Sequence, residues 1–167
     1  KHILTKKGYH SEEFMLCFIT YQKTIKHIDQ IVEILIQEFP HIKTIIQNIN
    51  ERHDNVILGD EEKILYGKGY IYDTLLDNQY KISLKSFYQI NPIQVEKLYQ
   101  TAIDLAHINQ DSVVLDAYCG IGTITLSLAK HVKKVYGVEV VPQAIEDAKN
   151  NALLNKIDNA EFVCDDA

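Results

Sequence analysis

The organisation of the chain turns on VVLDAYCGIGT, residues 113–123. Val113, Val114 and Leu115 form a short apolar, β-favouring run that closes on Asp116. Gly120 and Gly122 then break the run, and a helical pattern opens at Thr123 and continues to residue 131. A buried strand, a tight glycine turn and a helix in immediate succession are the opening of a βαβ unit. The same grammar continues downstream. Residues 134–140 read as a strand, 142–154 as a helix and 160–164 as a strand, so the three strands are expected to lie parallel, with the Asp116 strand outermost and the Glu139 strand beside it.

Upstream, Asn91-Pro92 starts another helix, with proline where its missing N–H costs nothing. Val95, Leu98, Ala102, Leu105 and Ala106 supply its apolar face. Residues 1–85 follow a different pattern. The runs 13–21, 43–49, 55–58, 63–66, 70–75 and 80–84 read as strands. Ile25, Ile28, Ile31, Val32, Leu35 and Ile36 recur at helical spacing over 24–39, before Pro40 ends the run. The expected fold class is therefore α/β. A small α+β domain of mostly antiparallel strands occupies residues 1–85, and a parallel, Rossmann-like unit occupies 86–167.

Two ligands suit such a glycine turn, a dinucleotide and S-adenosylmethionine. Both need backbone that a ligand can approach closely, which Gly120 and Gly122 provide, and free N–H groups near Thr123. A dinucleotide fingerprint requires a third glycine where Thr125 stands, and no carboxylate at the strand end. Asp116 would repel a pyrophosphate but would attract the cationic amine of a methionine moiety. The residues thus favour S-adenosylmethionine over a dinucleotide. Glu139 ends the next strand, 23 residues on, where an acid can accept hydrogen bonds from both ribose hydroxyls. Val140 would then lie against the adenine, and Asp166, after the third strand, could accept from the adenine amino group. Taken singly, Glu139 and Asp166 are also readable as solvated strand-end acids.

Other residues carry less. Cys119 lies in the glycine turn with no His or Glu placed to activate it, so it does not read as a nucleophile. The seven histidines show no metal-ligand spacing, and no metal site is expected. The aromatic residues between Tyr66 and Phe87 read as strand packing rather than as a base-stacking platform.

Composition limits the functional classes further. At 46% hydrophobic and 24% charged residues the chain belongs with globular proteins, and a net charge of −6 argues against the fragment as a whole clamping nucleic acid. No apolar run approaches the length of a membrane span. Cys17, Cys119 and Cys164 are widely spaced and odd in number, which points to free thiols and a cytoplasmic setting.

Two motifs together resemble the RNA (uracil-5-)-methyltransferase family, which forms 5-methyluridine in 23S ribosomal RNA or in the T-loop of transfer RNA. One is SFYQIN at 86–91, followed by a helix carrying Gln94, Glu96, Lys97, Leu98 and Tyr99; the other is LDAYCGIGT at 115–123. Gly137-Val138-Glu139 and the stretch AIEDAKNNA at 144–152 extend the match. Lys7-Gly8-Tyr9-His10, Gln47-Asn48-Ile49-Asn50 and Gly69-Tyr70-Ile71-Tyr72-Asp73 resemble the family's central domain.

The resemblance implies a truncated class I, Rossmann-like, S-adenosylmethionine-dependent methyltransferase domain preceded by a central domain. It implies cofactor-binding roles for Gln89, Asp116, Tyr118, Gly120, Gly122, Thr123, Glu139 and Asp166. It also implies that the chemistry lies elsewhere. In the family a cysteine attacks uracil C6, making C5 nucleophilic towards the methyl group, and a glutamate removes the C5 proton. Both residues are expected beyond residue 167, so residues 1–167 alone are expected to be inactive. The family's RNA-binding barrel, and the four cysteines that hold an iron–sulfur cluster in many members, are expected before residue 1. The implied partner is RNA, with 23S ribosomal RNA favoured over the transfer RNA T-loop. A methyltransferase with another substrate and a non-catalytic nucleotide-binding module are the alternatives. The open edge of the three-stranded set is expected to be exposed or covered by a neighbouring chain.

Overall fold

The computed structural model describes all of residues 1–167 and divides into two compact units. The first comprises Lys1–Asp73 with Ser83–Lys85, the second Thr74–Ile82 with Ser86–Ala167. Residues 74–82 therefore cluster with the second unit. No helix is long and apolar enough to cross a membrane.

The first unit is a four-stranded sheet in chain order, β1 (His2–Lys7), β2 (Phe14–Thr20), β3 (Ile42–Ile49) and β4 (Glu61–Gly67). β2 shows why its sequence is a strand: Met15, Cys17 and Ile19 are buried while the residues between them are half-exposed, the period of two expected of a pleated chain. Helix α1 (Ile28–Glu38) connects β2 to β3, and that crossover makes the pair parallel. The outer pairs, β1 with β2 and β3 with β4, are antiparallel.

Two local expectations fail here, each for a physical reason. Residues 55–58 are not a strand. The Asn50 side chain donates to the carbonyls of Val56 and Ile57 at 2.7 and 2.8 Å, and Asn48 brackets Gly59 through its N–H (2.7 Å) and its carbonyl (3.0 Å). Those backbone groups are satisfied by buried carboxamides, which competes directly with a ladder. Strand β1 has no signal in the sequence, because Lys6, Lys7 and an exposed Ile3 give it no apolar face. It is an edge strand, and charged side chains are how such edges stay soluble.

Strands β5 (Tyr70–Leu75) and β6 (Asn78–Ser83) form a two-stranded sheet. They are joined by Leu76 and Asp77, both at positive φ, as a two-residue hairpin turn requires.

The second unit contains α2 (Pro92–Leu105) and a parallel sheet in the order β7 (Val113–Ala117), β8 (Lys134–Glu139), β9 (Ala160–Cys164). Helices α3 (Thr123–Ala129) and α4 (Pro142–Leu154) are the crossovers. The Asp116 strand is outermost with the Glu139 strand beside it, as the pattern required. Asn91 caps α2, its side chain accepting the Gln94 N–H at 3.2 Å. Ile103, Leu128, Ala129, Val132 and Val135 form a core into which Val114 and Ala160 pack. The alternate residues Val113 and Leu115 remain exposed, so the sheet is covered on one face only.

Candidate cofactor-binding site

The carboxyl ends of β7 and β8 lie side by side, because Asp116 pairs with Gly137 and Ala117 with Val138. This is where open α/β sheets bind ligands. The chain leaves β7 through Tyr118, at φ +64, with a side chain 71% exposed. The Cys119 N–H donates to the Val138 carbonyl at 2.9 Å, tying the turn to β8. Gly120 and Gly122 follow at φ +55 and +84. A Cβ at Gly120 would meet nothing within 4 Å, so the backbone there faces open space; at Gly122 it would lie 3.1 Å from the Phe162 ring.

Glu139 closes the opposite wall. Its Oε2 accepts the Gly120 N–H at 3.2 Å and its Oε1 the Val141 N–H at 3.0 Å. A carboxylate oxygen can accept more than one hydrogen bond, so a fixed carboxylate with unused lone pairs borders the open turn. Val140, beside it, is an exposed aliphatic side chain.

Asp116 is held from behind. Its Oδ2 accepts the Thr125 hydroxyl at 2.5 Å, and burial raises its carboxyl above the ordinary range, against the lowering effect of the Thr125 contacts. A partly desolvated carboxylate in this position disfavours a phosphate and favours a cation. Thr125 is fully buried, and the sequence shows only that it is not the glycine of a dinucleotide fingerprint. That departure from the dinucleotide pattern was the signal for its role.

Thr123 turns the other way. Its hydroxyl is 3.0 Å from the Tyr99 hydroxyl, and its carbonyl accepts from Ser127 Oγ at 2.7 Å and the Tyr80 hydroxyl at 3.2 Å. Gln89, half-buried, also hydrogen-bonds the Tyr99 hydroxyl. Tyr99 thus links the SFYQIN segment to the first residue of α3. The helical spacing points to Leu98, Ala102, Leu105 and Ala106 beside Val95, but the structure buries Tyr99 and Ile103 with Val95 and leaves Leu98 and Leu105 exposed.

The residues flanking Asp166 reach the site, the Asp165 N–H donating to the Glu139 carbonyl at 3.2 Å and the Ala167 carbonyl accepting the Tyr118 hydroxyl at 3.3 Å. Asp166 itself is exposed, and its N–H donates to the Asp165 side chain at 2.9 Å. Cys119 is buried, and desolvation, then the charges of Asp116 and Glu139, push its thiol up to about 12. Such a thiol is inert at neutral pH.

Residues 11–166 match the tRNA (uracil-5-)-methyltransferase family. The chain belongs to that family. Among curated members it is 50% identical over 167 residues to an uncharacterized RNA methyltransferase of Streptococcus mutans, covering all of this chain and 37% of that protein. It is 48% identical over 162 residues to one of Oceanobacillus iheyensis, covering 97% of this chain and 35% of that protein. A solved structure, the Pyrococcus abyssi tRNA (uracil-54, C5)-methyltransferase in complex with S-adenosyl-L-homocysteine, superposes with a TM-score of 0.79 at 28% identity. The match covers 96% of this chain and 38% of that one. The fold is accordingly that of a Rossmann-like methyltransferase, and the chain spans little more than a third of these family members.

Proposed function

We propose that the protein containing this chain transfers a methyl group from S-adenosylmethionine to C5 of uracil in RNA, and that residues 86–167 supply the first half of its cofactor site. The observation that carries the reading is the Glu139 carboxylate, fixed by the Gly120 and Val141 N–H groups at the mouth of an open glycine turn. The exposed backbone at Gly120, the buried Asp116 and the aliphatic Val140 suit ribose, amine and adenine respectively.

Within this reading Glu139 accepts hydrogen bonds from the ribose hydroxyls. Asp116 faces the methionine amine, whose charge would hold the carboxylate ionised against its burial. Gly120 and Gly122 let the ligand approach the backbone, with Thr123 opening the helix behind them. Tyr118 and Gln89 flank the turn, and Asp166 takes the adenine amino group. When bound, the cofactor supplies an electrophilic methyl group on a sulfonium. The nucleophilic cysteine and the base belong to residues outside 1–167, consistent with the inertness of Cys119. Residues 1–85, apart from the 74–82 segment that clusters with the second unit, correspond to the central domain, and the protein works in the cytoplasm.

Of the two RNA substrates that the family resemblance implies, we propose 23S ribosomal RNA. Transfer RNA is the second reading, supported by the activity of the Pyrococcus abyssi relative. Incubating the full-length protein with methyl-labelled S-adenosylmethionine and either unmodified RNA distinguishes them. Labelled 5-methyluridine is expected in the 23S RNA digest and not in the transfer RNA digest. The reverse pattern would establish the second reading, and label in neither would overturn both.

A further inference from the structure

Helix α4 and its C-terminal cap carry Asp147, Asn151 and Asn155, four residues apart and therefore on one face. Asn155 grips β6: its Oδ1 accepts the Gln79 N–H at 2.8 Å and its Nδ2 donates to the Gln79 carbonyl at 2.7 Å. Asp147 accepts the Ser86 hydroxyl at 3.0 Å. Asn151, between them, is fully buried and divides its carboxamide between two segments. Its Oδ1 accepts the Lys81 N–H of β6 at 2.8 Å, and its Nδ2 donates to the Ile121 carbonyl at 3.1 Å.

Ile121 is the residue between Gly120 and Gly122. The peptide plane holding its carbonyl adjoins Gly122, whose freedom of φ makes that plane easy to reorient, and a carbonyl in a buried environment needs a donor. We infer that Asn151 is a positioning residue for the cofactor turn. By holding the Ile121 carbonyl inward, it fixes the peptide whose N–H, on Gly122, closes on the Cys119 carbonyl at 2.9 Å, and so keeps the open face of Gly120 directed at the ligand. Its other half anchors the same helix turn to β6, the strand that precedes Ser86 and Gln89 in the chain. The inference rests on the reading of this turn as the S-adenosylmethionine site.

The test uses the full-length protein and calorimetric titration with S-adenosylhomocysteine, alongside thermal unfolding. Asn151→Asp keeps the size and the acceptor for Lys81, but removes the donor and sets a carboxylate oxygen against the Ile121 carbonyl. Its dissociation constant is expected to rise at least tenfold. Asn155→Ala removes both bonds to Gln79 and a third, from its Nδ2 to the Asn151 carbonyl at 2.7 Å, but none to the turn, so it is expected to lower the unfolding temperature while binding within twofold of the parent. If Asn151→Asp binds within twofold, or Asn155→Ala loses as much affinity, Asn151 only glues helix to strand and the inference fails. Should the buried carboxylate prevent folding, Asn151→Ser, uncharged and too short to span both segments, is judged by the same limits. Glu139→Gln, measured in parallel, separates the two levels. A parent that does not bind, or a Glu139→Gln protein that binds like the parent, overturns the cofactor reading and the inference with it. A loss in Glu139→Gln with none in the Asn151 variants overturns the inference alone.

Discussion

Both oxygens of Glu139 already accept a backbone N–H, so glutamine there is more than the loss of a charge. Its amide group must point an N–H at either Gly120 or Val141, while the remaining oxygen serves every other donor. Hydrogen bonds to a charged group contribute about 1.5–3 kcal/mol each when solvent is excluded. Glu139→Gln in the full-length protein is therefore expected to weaken S-adenosylhomocysteine binding about tenfold or more, a change of about 1.4 kcal/mol. Glu146→Gln, on the exposed side of α4, is the matched control and should change binding less than twofold by calorimetry. Equal affinities for both variants and the parent would reduce Glu139 to a surface acid. The cysteines give a second residue-scale prediction. Cys119 is raised from an ordinary 9.0 to about 12 and Cys17 to about 11, both by burial first. An acid whose pKa is raised by folding stays neutral in the native state. The stability this contributes is intact below about 9 and declines as pH climbs from there towards 11 and 12. Iodoacetamide at pH 8, followed by mass spectrometry of the native protein, should label the exposed Cys164 well before Cys17 or Cys119. Preferential labelling of Cys119 would reopen its reading as a nucleophile.

The glycine turn is the element whose two glycines separate stability from binding. Gly122→Ala forces a left-handed residue, about 1–2 kcal/mol for a non-glycine side chain, and sets its Cβ 3.1 Å from the Phe162 ring. Gly120→Ala meets the same backbone penalty but no neighbouring atom within 4 Å; its methyl group instead enters the space assigned to the ligand. In the full-length protein Gly122→Ala should show the larger fall in unfolding temperature, and Gly120→Ala a loss of S-adenosylhomocysteine affinity out of proportion to its smaller fall. Undiminished binding by Gly120→Ala would move the ligand away from this turn. Elements governed by local periodicity are legible in the sequence: β5, α4 and β9 at their observed ends, and β7 and β8 within a residue. Pieces governed by long-range side-chain-to-backbone bonds are not. Asn48 and Asn50 turn residues 55–58, with their strand-like Val56 and Ile57, into a pinned loop. Likewise Gly120, Gly122, Asp116 and Glu139 announced the site because their types are constrained by the turn and the strand ends. Thr125, Tyr99 and Asn151 look like ordinary helical residues until the fold brings their polar ends to that turn. Asp166 is singled out by its place after the third strand, and its neighbours Asp165 and Ala167 bond to Glu139 and Tyr118.

For the molecule as a whole, the sheet of the second unit carries helices on one face, while Val113, Leu115 and Val163 expose apolar surface on the other. Parallel sheets in stable proteins are covered on both faces, and the family members matched are nearly three times as long as this chain. An exposed apolar face of this kind suits further packing by the longer protein that the proposed function assumes. The proposed chemistry replaces the hydrogen on uracil C5 with a methyl group, and that exchange can be followed atom by atom. RNA transcribed with uridine tritiated at C5 is incubated with full-length protein and unlabelled S-adenosylmethionine, and tritium released to water is compared with methyl groups incorporated. C5 methylation predicts one C5 hydrogen released for each methyl group transferred, whichever RNA is the substrate. Methyl incorporation with the tritium retained in the RNA would contradict it, since the methyl group would then lie on another atom.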